Sequence, residues 1–191
     1  MKKVLKCLIC LSLLDILIGL YYFTCLIMPK LQLYKSNDIS IYDHSNNKII
    51  QTHANKMGEY VSLKEMSPYL PMAFVAAEDH RFYDHYGYDL KGITRAFIST
   101  VFKKKTQGGS TITQQLARTL YLSNEKTFSR KIQEAILTAR IETNYSKDEI
   151  LEHYLNCIYL GHDLYGVAAA STYYFNKNCK DLSIDEAALL A

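Results

Sequence analysis

Two adjacent carboxylates follow an apolar run in this chain. Residues 72–77 are apolar, and Glu78 and Asp79 come directly after them. A carboxyl group at the end of an apolar segment is a candidate general acid or base, because removal from water disfavours its charged form. The same pattern is typical of an ordinary acidic helix end, and the stretch alone does not separate these two interpretations.

A second group of polar residues could bind an anion. Thr111, Gln115 and Arg118 are spaced i, i+4 and i+7, so a helix here would carry a hydroxyl, an amide and a guanidinium group on one face. Gly108 and Gly109 precede this helix, and a helix N-terminus of this kind offers backbone N–H groups to an anion. A solvent-facing helix could show the same pattern by chance.

A third candidate is the acid Glu134, which lies one helical turn after Arg130 and close to Lys131. As a surface ion pair, this arrangement would contribute only about 0.2–0.5 kcal/mol to stability. In the alternative interpretation, the two cations keep a functional carboxylate ionised.

Helices are expected to position these groups. The apolar residues that follow Pro71 predict that this proline is the first residue of a helix. Thr111, Ser146 and Ser183 are each predicted to begin a capping box. The predicted helices are 71–78, 90–102, 110–122, 127–143, 166–175 and two that follow Ser146 and Ser183. The apolar face of helix 127–143 is predicted from Ile132, Ile136, Ala139 and Thr143.

A membrane anchor is predicted at the N-terminus. The apolar segment 4–28 is long enough to cross a bilayer, which takes about 20 residues. Asp15 costs roughly 2.5–3.5 kcal/mol on the insertion scale, which the large apolar residues of the segment outweigh. Lys2, Lys3 and Lys6 place the N-terminus in the cytoplasm. A cleaved signal peptide is the alternative, but the segment lacks an Ala-x-Ala-type site.

The remaining chain divides into a stalk and a main body. Residues 39–43 and 48–52 flank a polar turn and predict a short β-hairpin, within an extracytoplasmic stalk over 29–66. The main body covers 67–191. Residues 1–28 form the cytoplasmic N-terminus and the anchor.

The composition limits the number of domains and the kinds of ligand that the chain could bind. A chain of 191 residues with a net charge of +3 fits one domain plus accessory segments and gives no indication of nucleic-acid binding. Cys157 and Cys179 lie in the main body, and a disulfide between them is an open alternative. The cysteine spacing predicts no metal site.

Four ordered motifs resemble those of the peptidoglycan glycosyltransferases, family 51. This family includes the glycan-polymerising domain of class A penicillin-binding proteins and the monofunctional transglycosylases. The motifs are Glu-Asp-x-x-Phe-x-x-His-x-Gly-x-Asp at 78–89, Gly-Gly-Ser-Thr-Ile-Thr-Gln-Gln at 108–115, Arg-Lys-x-x-Glu at 130–134 and Tyr-Ser-Lys-x-Glu-Ile-Leu-Glu-x-Tyr-Leu-Asn at 145–156. The resemblance covers about residues 60 to 191.

The resemblance implies a fold and a reaction. The expected fold is mainly α, a lysozyme-like helical glycosyltransferase domain with an N-terminal transmembrane helix and a β-hairpin stalk. The implied reaction polymerises lipid II into β-1,4 glycan strands and releases undecaprenyl diphosphate, in bacterial cell wall synthesis. The implied location is the bacterial cell membrane, as a single-pass protein with its catalytic domain outside the cytoplasm.

Site roles follow from the same resemblance. Glu78 matches the general base that deprotonates the acceptor hydroxyl, and Glu134 matches the second acid, which organises the donor diphosphate. The residues implied in substrate binding or in shaping the site are Asp79, Phe82, His85, Ser110, Thr111, Gln114, Gln115, Arg118, Arg130 and Lys131.

The resemblance also implies partners. These are lipid II, the growing glycan chain, the membrane and other cell-wall synthesis proteins, with no nucleic acid. No cofactor is required, although a divalent cation (Mg²⁺ or Mn²⁺) at the donor diphosphate, with Glu134 as a ligand, is an open alternative.

Two features depart from the family pattern. Arg118 stands where the family usually has lysine, and these two cations are not interchangeable at a shaped phosphate site. The chain ends at Ala191 inside a predicted helix, whereas the family normally continues with further helices. We therefore expect the C-terminal part of the domain to be missing.

Two other functions stay open at this point. A glycan-cleaving, lysozyme-like lytic enzyme would also use two carboxylates on such a scaffold. An inactive, membrane-anchored scaffold that recruits wall enzymes would not need either carboxylate.

Overall fold

The structure, a computed structural model, describes part of the chain. The described residues are Ser12, Gly19, Leu33, the backbone of 38–42 and 48–53, and 58–89, 91, 92, 94, 109–122 and 127–191. The chain divides into two compact units, Met1–Leu31 and Gln32–Ala191. All elements below belong to the second unit.

The predicted hairpin is confirmed at the level of the backbone. Strands β1 (Asp38–Tyr42) and β2 (Lys48–His53) pair in antiparallel orientation. The register shifts between Ile41 and Tyr42, where β2 accommodates an additional residue, as in a β-bulge.

The described main body is helical, as predicted. Its α-helices are α1 (Tyr69–Glu78), α2 (Ile112–Tyr121), α3 (Phe128–Asn144), α4 (Lys147–Cys157), α5 (Val167–Phe175) and α6 (Ile184–Leu190). Short 3-10 turns occur at Leu63–Glu65, Phe82–Asp84 and Cys179–Asp181. For the predicted helices that lie within the described residues, the bounds differ by at most two residues at either end.

Helix α2 is central to the packing. It contacts both α3 and α4, while α1 packs against α6 and α4 against α5. Ile112, Leu116 and Ala117 on α2 are fully buried. Burial of one such leucine or isoleucine side chain contributes about 1.5–3 kcal/mol, so α2 is well anchored.

Capping boxes begin α4 and α6, as predicted. The hydroxyl oxygens of Ser146 and Ser183 accept hydrogen bonds from the backbone N–H groups of Glu149 and Glu186. The two glutamates accept in return from the backbone N–H groups of the serines. Such caps stabilise a helix start by about 1 kcal/mol each.

Two side chains of α4 bind Tyr60 and Val61, which lie just before the main body. Asn156 Oδ1 accepts from the Val61 N–H at 2.9 Å, and its Nδ2 donates to the Val61 carbonyl at 2.8 Å. Glu152 accepts from the hydroxyl of Tyr60 at 2.7 Å. These two members of the fourth motif therefore make structural contacts.

The predicted start of α1 is wrong. The helix begins at Tyr69 with Pro68 as its N-cap, so Pro71 is the third helical residue and not the first. The N–H groups of a first helical turn have no acceptor within the helix, so proline is tolerated at this position as well.

The predicted apolar face of α3 is wrong in part. Ile132 and Ile136 are 48% and 45% exposed, whereas Glu134 and Thr138 are fully buried. The spacing of apolar residues points to a face of α3 that is mostly in contact with solvent. The face that is buried carries the polar residues Glu134 and Thr138, which have partners inside the protein.

Some sequence predictions concern residues outside the described part of the chain. These are the membrane anchor over 4–28 and most of the helix over 90–102. None of the described helices combines the length and the apolar character that a membrane span requires.

The two cysteines of the main body are free thiols. Cys157 and Cys179 are both buried and form no disulfide, so the disulfide alternative is not supported. Burial raises the pKa of Cys157 to about 12, because apolar surroundings disfavour the thiolate.

We expect the Cys157 thiol to resist alkylation in the folded protein. The raised pKa keeps the thiol protonated at pH 8, and the residue is also buried. Treatment with iodoacetamide and peptide mass mapping should leave the Cys157 peptide unmodified, and urea should make it reactive. Rapid labelling of the native protein at pH 8 would contradict this burial.

Candidate active site

The end of α1 brings Glu78 to the surface. Glu78 is the last helical residue, and the chain turns at Asp79, whose N–H still donates to the Val75 carbonyl at 3.1 Å. Phe74 is buried, but Ala77 and Glu78 are exposed because the helix leaves the core before its last turn. The predicted removal of the Glu78 carboxylate from water is therefore wrong.

Asp79, by contrast, is buried and accepts hydrogen bonds from two sides. His85 Nε2 lies 3.0 Å from both carboxylate oxygens, and the backbone N–H of Ile112 donates to Oδ2 at 3.1 Å. Ile112 is the first residue of α2, so Asp79 occupies the anion site that a helix N-terminus provides. At this N–H group the anion is the protein's own carboxylate, which corrects the expectation of a substrate anion.

Thr111 and Gln114 form the predicted capping box at the start of α2. Thr111 Oγ1 accepts from the Gln114 N–H at 3.2 Å and donates to the Gly87 carbonyl at 2.7 Å. Gln114 Oε1 accepts from the Thr111 N–H at 3.1 Å. Because Thr111 and Gln114 are buried, the Thr111 hydroxyl does not share an open face with Gln115 and Arg118.

The loop that follows Asp79 is held by close packing. Gly87 has a φ of +80°, and a Cβ atom there would lie 2.6 Å from Cγ2 of Thr138 on α3, so only glycine fits. Phe82 is fully buried, with Lys147 Nζ 4.5 Å from its ring centroid. Lys147 also donates to Glu142 at 2.7 Å. The loop is thereby fixed against α3 and α4.

Gln115 connects Glu78 to the core. Its Nε2 donates to Glu78 Oε2 at 2.7 Å, and its Oε1 accepts from the Tyr154 hydroxyl at 3.2 Å. Tyr154 lies on α4 and is 1% exposed. One amide therefore joins an exposed carboxylate to a buried hydroxyl.

Glu134 is surrounded by cations. Its carboxylate is fully buried, Lys131 Nζ contacts Oε1, and Nη1 atoms of Arg118 and Arg130 lie 3.8 and 3.6 Å from Oε2. No described residue donates a hydrogen bond to Oε2. Three cations against one acid leave a local net charge of +2. The geometry matches the cation-flanked acid and not the surface ion pair.

Helix α2 relates the two carboxylates. Gln115 binds Glu78, and Arg118 faces Glu134. These two α2 residues are three positions apart, so they lie on one side of the helix and about 4.5 Å apart along its axis. The exposed carboxylate and the cationic cluster therefore border the same side of α2.

The predicted site residues divide into two groups. Those brought together around α2 are Glu78, Gln115, Arg118, Arg130, Lys131 and Glu134. Those buried behind them or at their edge, with internal contacts, are Asp79, Phe82, His85, Thr111 and Gln114. Ser110 is half-buried just before α2.

The sequence predictions assign no role in the site to three residues of this region: Tyr154, Glu142 and Lys147, of which Tyr154 and Lys147 are positions of the fourth motif. The motif alone does not show which contact the Tyr154 side chain makes. A tyrosine within an apolar face is nevertheless a signal for a buried hydrogen bond, because its polar tip usually finds a partner. For Glu142 and Lys147 the sequence offers no comparable signal.

The described residues around Glu134 do not fit a resident metal ion. Among the described residues, no group of three or more His, Cys, Asp or Glu side chains could hold one. Glu134, the ligand in the open alternative, is next to three cations, and their charges disfavour Mg²⁺ or Mn²⁺ at its oxygens.

Comparison with known proteins identifies the family. A family model described as transglycosylase matches residues 45–191. The chain belongs to the transglycosylase family. Penicillin-binding protein 2D of Bacillus subtilis (strain 168) is 50% identical to it over 152 residues, which are 79% of this chain and 22% of that protein. Penicillin-binding protein 1A of Neisseria flavescens is 46% identical over 166 residues, 86% of this chain and 21% of that protein.

The family assignment confirms the resemblance carried by the four motifs. The transglycosylase match includes all of the candidate site, from Glu78 to Glu134, and also Tyr154. The chain spans about a fifth of the length of the two relatives.

We expect Asp79→Ala to destabilise the transglycosylase domain by about 2–4 kcal/mol, because the buried Ile112 N–H and the His85 ring would lose their acceptor. Urea denaturation measures this loss. Asp185→Ala, at the exposed first turn of α6, is the matched control and should change stability by less than about 1 kcal/mol. Equal stability of Asp79→Ala and wild type would contradict the proposed capping of α2.

Proposed function

We propose that this transglycosylase domain is a peptidoglycan glycosyltransferase that polymerises lipid II into β-1,4 glycan strands. The arrangement along α2 carries the proposal. Gln115 on one turn of α2 binds the exposed carboxylate of Glu78, and Arg118 on the next turn faces Glu134 in the positively charged cluster. Glycosyl transfer from a lipid diphosphate needs a base at the acceptor and an anion-stabilising group at the leaving diphosphate.

On the acceptor side, Glu78 acts as the general base. It takes the proton from the 4-hydroxyl of the acceptor sugar while that oxygen forms its bond to C1 of the donor. Exposure suits this role, because the acceptor must reach the carboxylate. The hydrogen bond from Gln115 holds Oε2, and Oε1 is then the oxygen that receives the proton.

On the donor side, the cationic cluster stabilises the leaving group. The bond between C1 and the diphosphate oxygen breaks, and its electron pair leaves on undecaprenyl diphosphate. Arg118 and Arg130 lie beyond hydrogen-bond distance of Glu134 Oε2, so their N–H groups can turn to phosphate oxygens. Attack from the opposite side inverts an α-linked donor and gives the β linkage.

The cellular setting is part of the same proposal. In this proposal, residues 1–28 comprise the cytoplasmic N-terminus and a single transmembrane anchor, 29–66 form the stalk, and 67–191 form a lysozyme-like catalytic domain on the outer face of the bacterial cell membrane. The apolar segment 4–28 and its flanking lysines support this orientation. The partners are lipid II, the growing glycan chain, the membrane and other cell-wall synthesis proteins.

Glu78→Gln should reduce the polymerisation of lipid II by about 10²–10⁴-fold, because a general base contributes that much to a proton-transfer step. Incubation with labelled lipid II, followed by gel separation of the glycan products, measures the rate. The thermal unfolding midpoint should stay close to that of the wild type, because Glu78 is exposed.

The matched control for this variant is Glu59→Gln, which changes another exposed glutamate and should keep the wild-type rate. Undiminished polymerisation by Glu78→Gln would remove Glu78 as the base. Release of soluble fragments from finished peptidoglycan, with no polymer from lipid II, would favour the glycan-cleaving alternative.

Arg118→Ala should lower kcat/KM for lipid II by about 10–100-fold, because a charge-assisted hydrogen bond is worth about 1.5–3 kcal/mol. Arg118→Lys keeps the charge but loses the planar pair of donors, so we expect a smaller loss. Steady-state kinetics with both variants measure the effect, with Lys64→Ala as the exposed cationic control. Wild-type kinetics for Arg118→Ala would place Arg118 outside the donor site.

A further inference from the structure

A hydrogen-bonded chain runs from the core to the candidate base. The Tyr154 hydroxyl donates to Gln115 Oε1 at 3.2 Å, and Gln115 Nε2 donates to Glu78 Oε2 at 2.7 Å. Each link joins residues that are distant in sequence, so the chain exists only because α1, α2 and α4 meet here.

The chemistry of the three groups fixes the direction of both bonds. An ionised carboxylate can only accept, so the Gln115 amide must present its NH₂ group to Glu78. Its carbonyl oxygen then faces the other way and needs a donor, which the Tyr154 hydroxyl provides. A reversed amide would place the Gln115 carbonyl oxygen against the Glu78 carboxylate, and both groups are acceptors.

Tyr154 is well suited to donate this hydrogen bond because it is packed in the core and keeps its proton. It is 1% exposed, and its ring packs edge-on against Phe74, one helical turn before Glu78 on α1, with 6.1 Å between centroids. Burial, and to a smaller extent the negative charge of Glu78, raises the pKa of Tyr154. The hydroxyl therefore remains a donor throughout the physiological pH range.

We propose that Tyr154 is a positioning residue for the transfer reaction: its hydroxyl sets the orientation of the Gln115 amide, which in turn holds the Glu78 carboxylate toward the acceptor. This inference rests on the proposed role of Glu78 as the base. It also gives Gln115 a task at the base, in place of the substrate-binding task that the family resemblance implies.

Tyr154→Phe tests the proposal, because it removes one oxygen and keeps the packing against Phe74. In the full chain we expect kcat for lipid II polymerisation to fall by about tenfold, with KM changed by less than about twofold, since loss of a positioning contact misaligns the base without removing a substrate contact. A kcat equal to that of wild type would overturn the proposal.

The control is Tyr60→Phe, which removes the hydroxyl that donates to Glu152 of the same helix α4. It should keep the wild-type kcat. A double-mutant cycle with Gln115→Ala separates positioning from general stability. If Tyr154 acts through Gln115, adding Tyr154→Phe to Gln115→Ala causes no further loss of kcat, whereas full additivity of the two losses would contradict this route.

A second measurement does not depend on turnover. In ¹⁵N-labelled protein, the side-chain amide signals of Gln115 should shift in Tyr154→Phe and in Glu78→Gln, but not in Tyr60→Phe. Unshifted signals in Tyr154→Phe would refute the positioning role even if Glu78 is the base. Shifted signals together with full activity of Glu78→Gln would leave the hydrogen-bonded chain intact and overturn only the proposed function.

Discussion

The buried carboxylate of Asp79 is the contact on which the rest of the site depends. It accepts from the first N–H group of α2 and from His85, and it is the chain neighbour of Glu78. The end of α1, the loop after it and the start of α2 are therefore held at one point. Because α2 carries Gln115, which binds Glu78, and Arg118, which faces Glu134, the start of α2 at Asp79 determines the positions of the exposed acid and of the cationic cluster. The helix dipole at the N-terminus of α2 favours a carboxylate here and offsets part of the cost of its burial.

This junction separates exposed polar residues from the buried ones that support them. Glu78 is exposed and can be reached, whereas Asp79, one residue later, is buried and fully engaged. Thr111 shows the same division, because its hydroxyl bonds Gly87 inside the protein and Gln115 on the next turn reaches Glu78. A motif of adjacent polar residues can therefore contain both exposed residues and buried, supporting ones, and only the packing distinguishes them.

The parts of the structure that depend on local spacing could be predicted from the sequence. A capping box such as that at Ser146 needs only a hydroxyl and a carboxylate three residues apart. Spacing does not show which face of a helix meets the core: Ile132 is largely exposed and Glu134 is buried, because α2 brings Arg118 to that side of α3. The bond between Tyr154 and Gln115 likewise depends on how α4 packs on α2, which no local pattern encodes.

The burial of Glu134 explains how three cations can be close together before a substrate binds. Without this acid, Arg118, Arg130 and Lys131 would repel one another, and the repulsion would be strong in partly buried surroundings. One acid reduces the repulsion but leaves a positive surplus. Its longer ion pairs, at 3.6 and 3.8 Å, leave the guanidinium donors available at little cost. An exposed glutamate would be hydrated and could swing out to compete with an incoming anion. Because Glu134 is fully buried, it keeps the cluster assembled and leaves the side that borders α2 open to the diphosphate of the proposed reaction.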